Sequence, residues 1–373
     1  MNQACHRNMK HFLQLLFVNV FFFCTFDATA QTQAQIRALW GFAPHGPFAG
    51  TPKETAAVLY ANNINAVFVD TISPDLQKAL KAIGVKIYTT LNVFGGQALW
   101  RRYPQLRPVD RFGNRVPAAQ GNGICPTQRW YWPRILRSLA QKRDAGFDGV
   151  WLDFMRFSGM WETPTPNLTE TCFCDSTLAD FERATAIIIP TDLPVDSSDS
   201  IATSPQAQSI AAKAKWILAH HRREWILYKI GVIAEFAHQA KATLAKNPDA
   251  VLGMFSVPWK REQHGYALVS ILSQDYRRLS NSIDIFSPML YHELCGQPVE
   301  WIETFVKYTA AETKKPVLPI VQCDLGPDHR VPDDEFAAAV LSGLEAPSQG
   351  VIIFRQQPLL EAKQLSILSS AWK

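Results

Sequence analysis

The chain has 373 residues, 47% hydrophobic and 19% charged, an ordinary globular composition that fits one large domain or two medium ones. Its formal charge of +4 is scattered rather than gathered into a basic stripe, which speaks against nucleic acid as a partner. Beyond the first 30 residues no stretch is long and apolar enough to span a bilayer, so no stable membrane span is expected.

In chain order, His6, Arg7 and Lys10 precede an apolar run from Phe12 to Phe26, and Ala28-Thr29-Ala30 follows with small residues. That order predicts a secretory signal peptide over residues 1–30, leaving 31–373 as a secreted or periplasmic domain. A run of about 15 residues is short of the ~20 that an anchor needs. Export removes Cys5 and Cys24 and leaves Cys125, Cys172, Cys174, Cys295 and Cys323. An odd number in an oxidising compartment allows at most two disulfides, and Cys172-Phe173-Cys174 is too tight to pair with itself. C-x-C without a second clustered pair is a weak zinc signal, so loop staples or buried thiols are expected and no metal.

From Ile36 onward, short apolar runs alternate with amphipathic stretches, the mark of parallel βα units. Ile36–Ala43 is the first run, and Thr51-Pro52-Lys53-Glu54 opens a helix with a capping box. Ile64–Asp70 is the second, Ser73-Pro74-Asp75 opens its helix, Gly84 closes it, and Val85–Val93 is the third. A polar loop from Phe94 to Arg129 follows, long enough to suggest function. A helix over Pro133–Ala145 leads into the fourth run, Val150–Phe157. Ser158–Gln206 then reads as irregular, and one long helix is predicted over Ser209–Leu244.

Val251–Pro258, Ile283–Tyr291, Pro316–Cys323 and Gly350–Arg355 complete eight runs, with helices at Val299–Glu312, Asp333–Leu344 and Leu359–Ser369. Eight strands with intervening helices predict a single (β/α)₈ TIM barrel with long loops after strands 3 and 4. A doubly wound sheet is disfavoured because Gly41–Gly46 lacks the glycine spacing of a phosphate turn.

Barrel enzymes carry their chemistry at the C-terminal strand ends and in the loops that follow. Asp153 is a lone carboxylate in the apolar run Val150–Phe157, where burial is costly without a partner or a purpose. A structural ion pair with Arg156 would be one explanation. A catalytic carboxylate is the other, and a glycosidic bond needs two of them, one to protonate the leaving oxygen and one to attack carbon or activate water. Three acids could partner Asp153: Glu293 past strand six, Glu162 in the loop after strand four, and Asp70 closing strand two.

Asn92, Arg156, Trp161, Trp259, Tyr291, His292 and Arg355 also fall at predicted strand ends or mouth loops, and with Asp70 they are candidate substrate contacts. The chain has 11 tryptophans, and indole faces stack on the apolar faces of sugars, which favours carbohydrate as the partner. No H-x-H on strand one and no G-x-S-x-G elbow are present, so neither a bound metal nor a serine nucleophile is expected, and no cofactor is called for.

Asp148-Gly149-Val150-Trp151-Leu152-Asp153-Phe154-Met155-Arg156-Phe157 and Asp284-Ile285-Phe286-Ser287-Pro288-Met289-Leu290-Tyr291-His292 resemble the strand-four and strand-six motifs of uncharacterised TIM-barrel glycoside hydrolase families, distant relatives of the α-glycosidase barrels. The resemblance runs in strand order over nearly the whole mature chain. It implies that Asp153 occupies the strand-four nucleophile position, and the α-galactosidase-like relatives place their acid at the end of strand six, near Glu293. Unlike α-amylase barrels, this chain has no Glu at the end of strand five, where Ser256 to Trp259 stand. The expectation is a secreted hydrolase of a poly- or oligosaccharide. The alternatives are a catalytically silent glycan-binding barrel and a barrel hydrolase of an amide or ester.

Overall fold

A computed structural model describes residues 35–118, 123–166, 168–195, 201–326, 329–355 and 362–372. The expected leader and the expected helix start at Leu359 lie outside these residues. The strands are β1 (Ile36–Leu39), β2 (Ala66–Phe68), β3 (Lys86–Asn92), β4 (Gly149–Asp153), β5 (Val251–Ser256), β6 (Ile285–Leu290), β7 (Ile320–Gln322), β8 (Asp324–Gly326), β9 (His329–Arg330) and β10 (Gly350–Phe354). Eight of them form a closed parallel barrel in the order β1-β10-β7-β6-β5-β4-β3-β2, while β8 and β9 make a small antiparallel pair beyond β7. The (β/α)₈ expectation holds.

Between the strands run α1 (Pro52–Ala61), α2 (Pro74–Ala82), α3 (Trp132–Asp144), α4 (Asp175–Thr185), α5 (Pro205–His220), α6 (Arg222–Leu244), α7 (Gln263–Ser270), α8 (Tyr276–Leu279), α9 (Glu300–Thr313), α10 (Asp333–Leu344) and α11 (Ala362–Ala371). The capping box at α1 is present in both directions: Glu54 N–H donates to Thr51 Oγ1, and Thr51 N–H donates to Glu54 Oε2 at 2.7 Å. Barrel closure depends on Gly350, the first residue of β10. At φ +138°, a Cβ there would lie 1.9 Å from the Ile36 carbonyl oxygen on β1.

Three features differ from the expected elements. The single helix over 209–244 is two, because His221 leaves helical geometry (φ −135°, ψ 31°) between α5 and α6. Both buried stripes keep helical spacing, so the apolar pattern crosses the break without a visible interruption. The irregular region contains α4, whose N-cap is Cys174 rather than a Ser, Thr, Asp or Asn. Two short helices, α7 and α8, also stand where only a connection was expected after β5.

Contacts of Trp151 locate the barrel interior. Its ring meets Phe68 of β2 and Tyr88 of β3 at 4.9 and 4.7 Å, and its Nε1 donates to Ser287 Oγ of β6 at 2.9 Å. Since β4 hydrogen-bonds only to β3 and β5, contacts with β2 and β6 can be made only across the lumen. Room for the indole comes from Gly253 of β5, where a Cβ would fall 2.1 Å from Trp151 Cε2. An aromatic layer of Phe68, Tyr88, Trp151 and Phe255 therefore plugs the barrel below its mouth. Outside the barrel, Lys229 of α6 is fully buried and donates to Ser270 O at 2.8 Å and Thr171 O at 3.3 Å, with Glu170 Oε1 at 3.8 Å. That ammonium ties the loop after β4 to α7. No helix among the described residues is long and apolar enough to cross a membrane.

Candidate active site

Strand alternation puts Gly149, Trp151 and Asp153 on one face of β4, so Asp153 points into the lumen one layer above the aromatic plug. It ends the strand opposite Asn92 of β3 and is half-buried. One oxygen accepts the Phe154 N–H at 2.7 Å. Desolvation by the surrounding protein raises its carboxyl to about 6, and the charge of Glu162 pushes the same way. The Phe154 N–H and the Arg156 guanidinium act against that rise.

Glu162 reaches the same space from the loop after β4. It keeps solvent access, yet protein crowds its carboxyl and raises it, with Arg156 opposing. Arg156 is buried, donates to Gly159 O at 2.9 Å, and lies within electrostatic reach of both Asp153 and Glu162. One cation thus serves two carboxyls, a shortage that favours retention of a proton by the pair. Tyr291, following β6, completes the group. Burial raises its hydroxyl well above the usual phenol range, and the charges of Glu162 and Asp153 add to this. Its ring stacks on Trp161 at 5.9 Å and meets Phe354 of β10 at 5.1 Å, which in turn meets Trp40 at 4.8 Å.

On the far side, Asp324 at the start of β8 approaches Arg355 Nε at 3.6 Å, and its charge also reaches Tyr291. Asp324 was not among the expected site residues. Its signal in the sequence was position alone, an acid directly after the seventh apolar run.

The other expected residues are distributed differently. Glu293 faces Glu335 in the first turn of α10; desolvation and that neighbouring charge both raise it, and neither Asp153 nor Glu162 is among its influences. His292 is fully buried and its Nε2 lies 3.0 Å from Glu335 Oε1, so it ties the β6 loop to α10. Asp70 is exposed and acts on Lys142 of α3. Asn92 is exposed, and its Oδ1 accepts the Gly95 N–H at 2.7 Å, holding the start of its own loop. Trp259 is buried against His264 at 4.4 Å, and Trp161 is also buried, so both pack as walls rather than stand as open platforms.

No protein-family model matches the chain, and no curated protein matches it in sequence. Solved structures do match. The glycoside hydrolase domain of PgaB (BpsB) from Bordetella bronchiseptica is similar with a TM-score of 0.62 at 12% identity, over 91% of this chain and 99% of that one. A β-galactosidase from the psychrophilic Marinomonas ef1 gives 0.62 at 12% identity over 90% of this chain. This chain spans 59% of that galactosidase. The catalytic domain of β-amylase from Paenibacillus polymyxa gives 0.53 at 12% identity, over 91% and 98% of the two chains. The chain is thus distantly similar in structure to TIM-barrel glycoside hydrolases, and at this identity the likeness establishes the fold.

Proposed function

We propose that this chain is an exported glycoside hydrolase in which Asp153 and Glu162 form the working carboxylate pair. Asp153 supplies the electron pair, either to the anomeric carbon or to a water that attacks it. Glu162 donates its proton to the glycosidic oxygen as the carbon–oxygen bond breaks. Arg156 balances the pair's charge, and Tyr291 lines the space above the plug.

The observation that carries this reading is the placement of Asp153. It points into the lumen at the C-terminal end of β4, above a sealed aromatic layer, with a second carboxyl and one buried arginine within electrostatic reach. The upward push on Glu162 helps it keep the proton it donates, and the raised Asp153 carboxyl suits activation of a water better than direct attack. The glycosidase neighbours support the bond type, and the leader-like residues 1–30 support export.

A panel of aryl glycosides and oligosaccharides tests the proposal. The wild type is expected to turn over at least one member, and Asp153→Asn to lower kcat/KM on it by about 10²–10⁴-fold. Glycan binding without turnover by the wild type would instead make the chain a silent binding barrel.

A further inference from the structure

Cys125 and the Cys172-Phe173-Cys174 pair come from two separated stretches of the chain, yet the three sulfurs all lie within 4.8 Å of one another. Cys125 belongs to the loop after β3. Cys172 follows β4 beside an antiparallel bridge between Thr171 and Asp110, and Cys174 caps α4. Cys125 and Cys172 are buried and Cys174 is partly exposed.

We propose that these three thiols form a binding site for a thiophilic d¹⁰ cation, Zn²⁺ being the probe. Three sulfurs around one zinc stand about 3.8 Å apart, from a Zn–S distance of about 2.3 Å and tetrahedral angles. Cys125 and Cys174 are 4.0 Å apart, close to that edge. A Cys125–Cys174 disulfide would engage only two of the three sulfurs, whereas one cation engages all three.

The polar surroundings also suit thiolates. Val109 N–H donates to Cys172 Sγ at 3.4 Å, and Gln128 Nε2 donates to Cys174 Sγ at 3.4 Å. The Thr127, Ser176 and Thr177 hydroxyls lie 3.0, 3.2 and 3.1 Å from Cys125, Cys174 and Cys174 respectively. Amide and hydroxyl groups around sulfur are the partners that orient and stabilise metal-bound thiolates. Cys174 at the N-terminus of α4 gains further from the helix dipole.

An access path exists. Cys174 lines a surface cavity of about 680 Å³ with Asp110, Asn114, Asp175 and Gln206, so a fourth ligand, water or an exogenous donor, can come from this side. A bound cation would pin the loop after β3 to the loop after β4. The site shares no residue with the Asp153 centre, and its test does not depend on turnover.

The test is titration of the reduced, metal-free full chain with Co²⁺ and then Zn²⁺. Expected are saturation at one equivalent, a thiolate-to-cobalt charge-transfer band, and protection of three thiols from a disulfide-exchange reagent. Cys174→Ser should lower the band and weaken Zn²⁺, Gln128→Ala should weaken Zn²⁺ about 10–100-fold, and Cys295→Ser should change neither. Because the spectrum is read on the wild type, misfolding of a cysteine variant would not hide the answer. Absence of a stoichiometric charge-transfer band would overturn the proposal. So would a Cys125–Cys174 disulfide in peptide maps of unreduced protein purified with zinc present.

Discussion

Replacing Asp153 by Asn is expected to make the protein more stable as well as inactive. The amide oxygen can still accept the Phe154 N–H, so the substitution removes charge with little change of shape. The folded carboxyl titrates near 6 against an ordinary 3.8, a difference worth about 3 kcal/mol at full effect. Between these values the folded state holds more protons than the unfolded one, so wild-type stability falls as pH rises through this window. Partial exposure of Asp153 and its interaction with Glu162 reduce the expected gain for the variant at pH 7 to about 1–2 kcal/mol. For a domain of this size that is about 1–3 °C in Tm. Thermal unfolding of both proteins from pH 3.5 to 7.5 checks the curve. The gap should be near zero at the acid end, open between about pH 4 and 6, and stay level above. A variant no more stable than the wild type at pH 7, or a gap that does not vary with pH, would refute the assignment of a strained carboxyl at the top of β4.

The plug beneath the site makes two further predictions. Gly253→Ala drives a methyl into the Trp151 indole and should cost about 1–3 kcal/mol, read by chemical denaturation. Ser287→Ala leaves Trp151 Nε1 buried without its acceptor and should cost about 1–3 kcal/mol, with a change in tryptophan fluorescence. Lys229→Met leaves the buried Ser270 and Thr171 carbonyls without their donor while Glu170 keeps Arg222 at 3.9 Å, and should destabilise by about 1–3 kcal/mol, visible as a lowered denaturation midpoint.

The barrel was legible because each βα unit carries its own local signals. Thr51 with Glu54, Ser73 before Pro74, and Gly84 after α2 mark helix ends whose partners are three or four residues away. Asp153 was legible for a related reason, as a lone acid interrupting an apolar strand whose alternation aims it inward. Its partner was not. Whether Glu293 or Glu162 meets Asp153 depends on how the loops after β6 and β4 turn, and the His292–Glu335 contact that draws the β6 loop toward α10 joins residues 43 apart. Tryptophan count was a poor guide to exposure, since Trp161 and Trp259 are taken up by ring packing with Tyr291 and His264. The cysteine cluster was hidden for the same physical reason as the acid: Cys125 reaches Cys174 across 49 positions through a pairing of mouth loops that no local pattern encodes.

Leaving-group dependence tests the central claim most directly, because a proton donor matters only when the departing oxygen is basic. The measurement is kcat/KM for Glu162→Gln, with Glu293→Gln as control, on aryl glycosides of a turned-over sugar with good and poor leaving groups. Glu162→Gln should fall by about 10²–10⁴-fold on the poor leaving group and stay near wild type on the good one, while Glu293→Gln changes little on either. Equal losses of Glu162→Gln on both, or the selective loss appearing in Glu293→Gln, would contradict the assignment of Glu162 as the acid that works with Asp153.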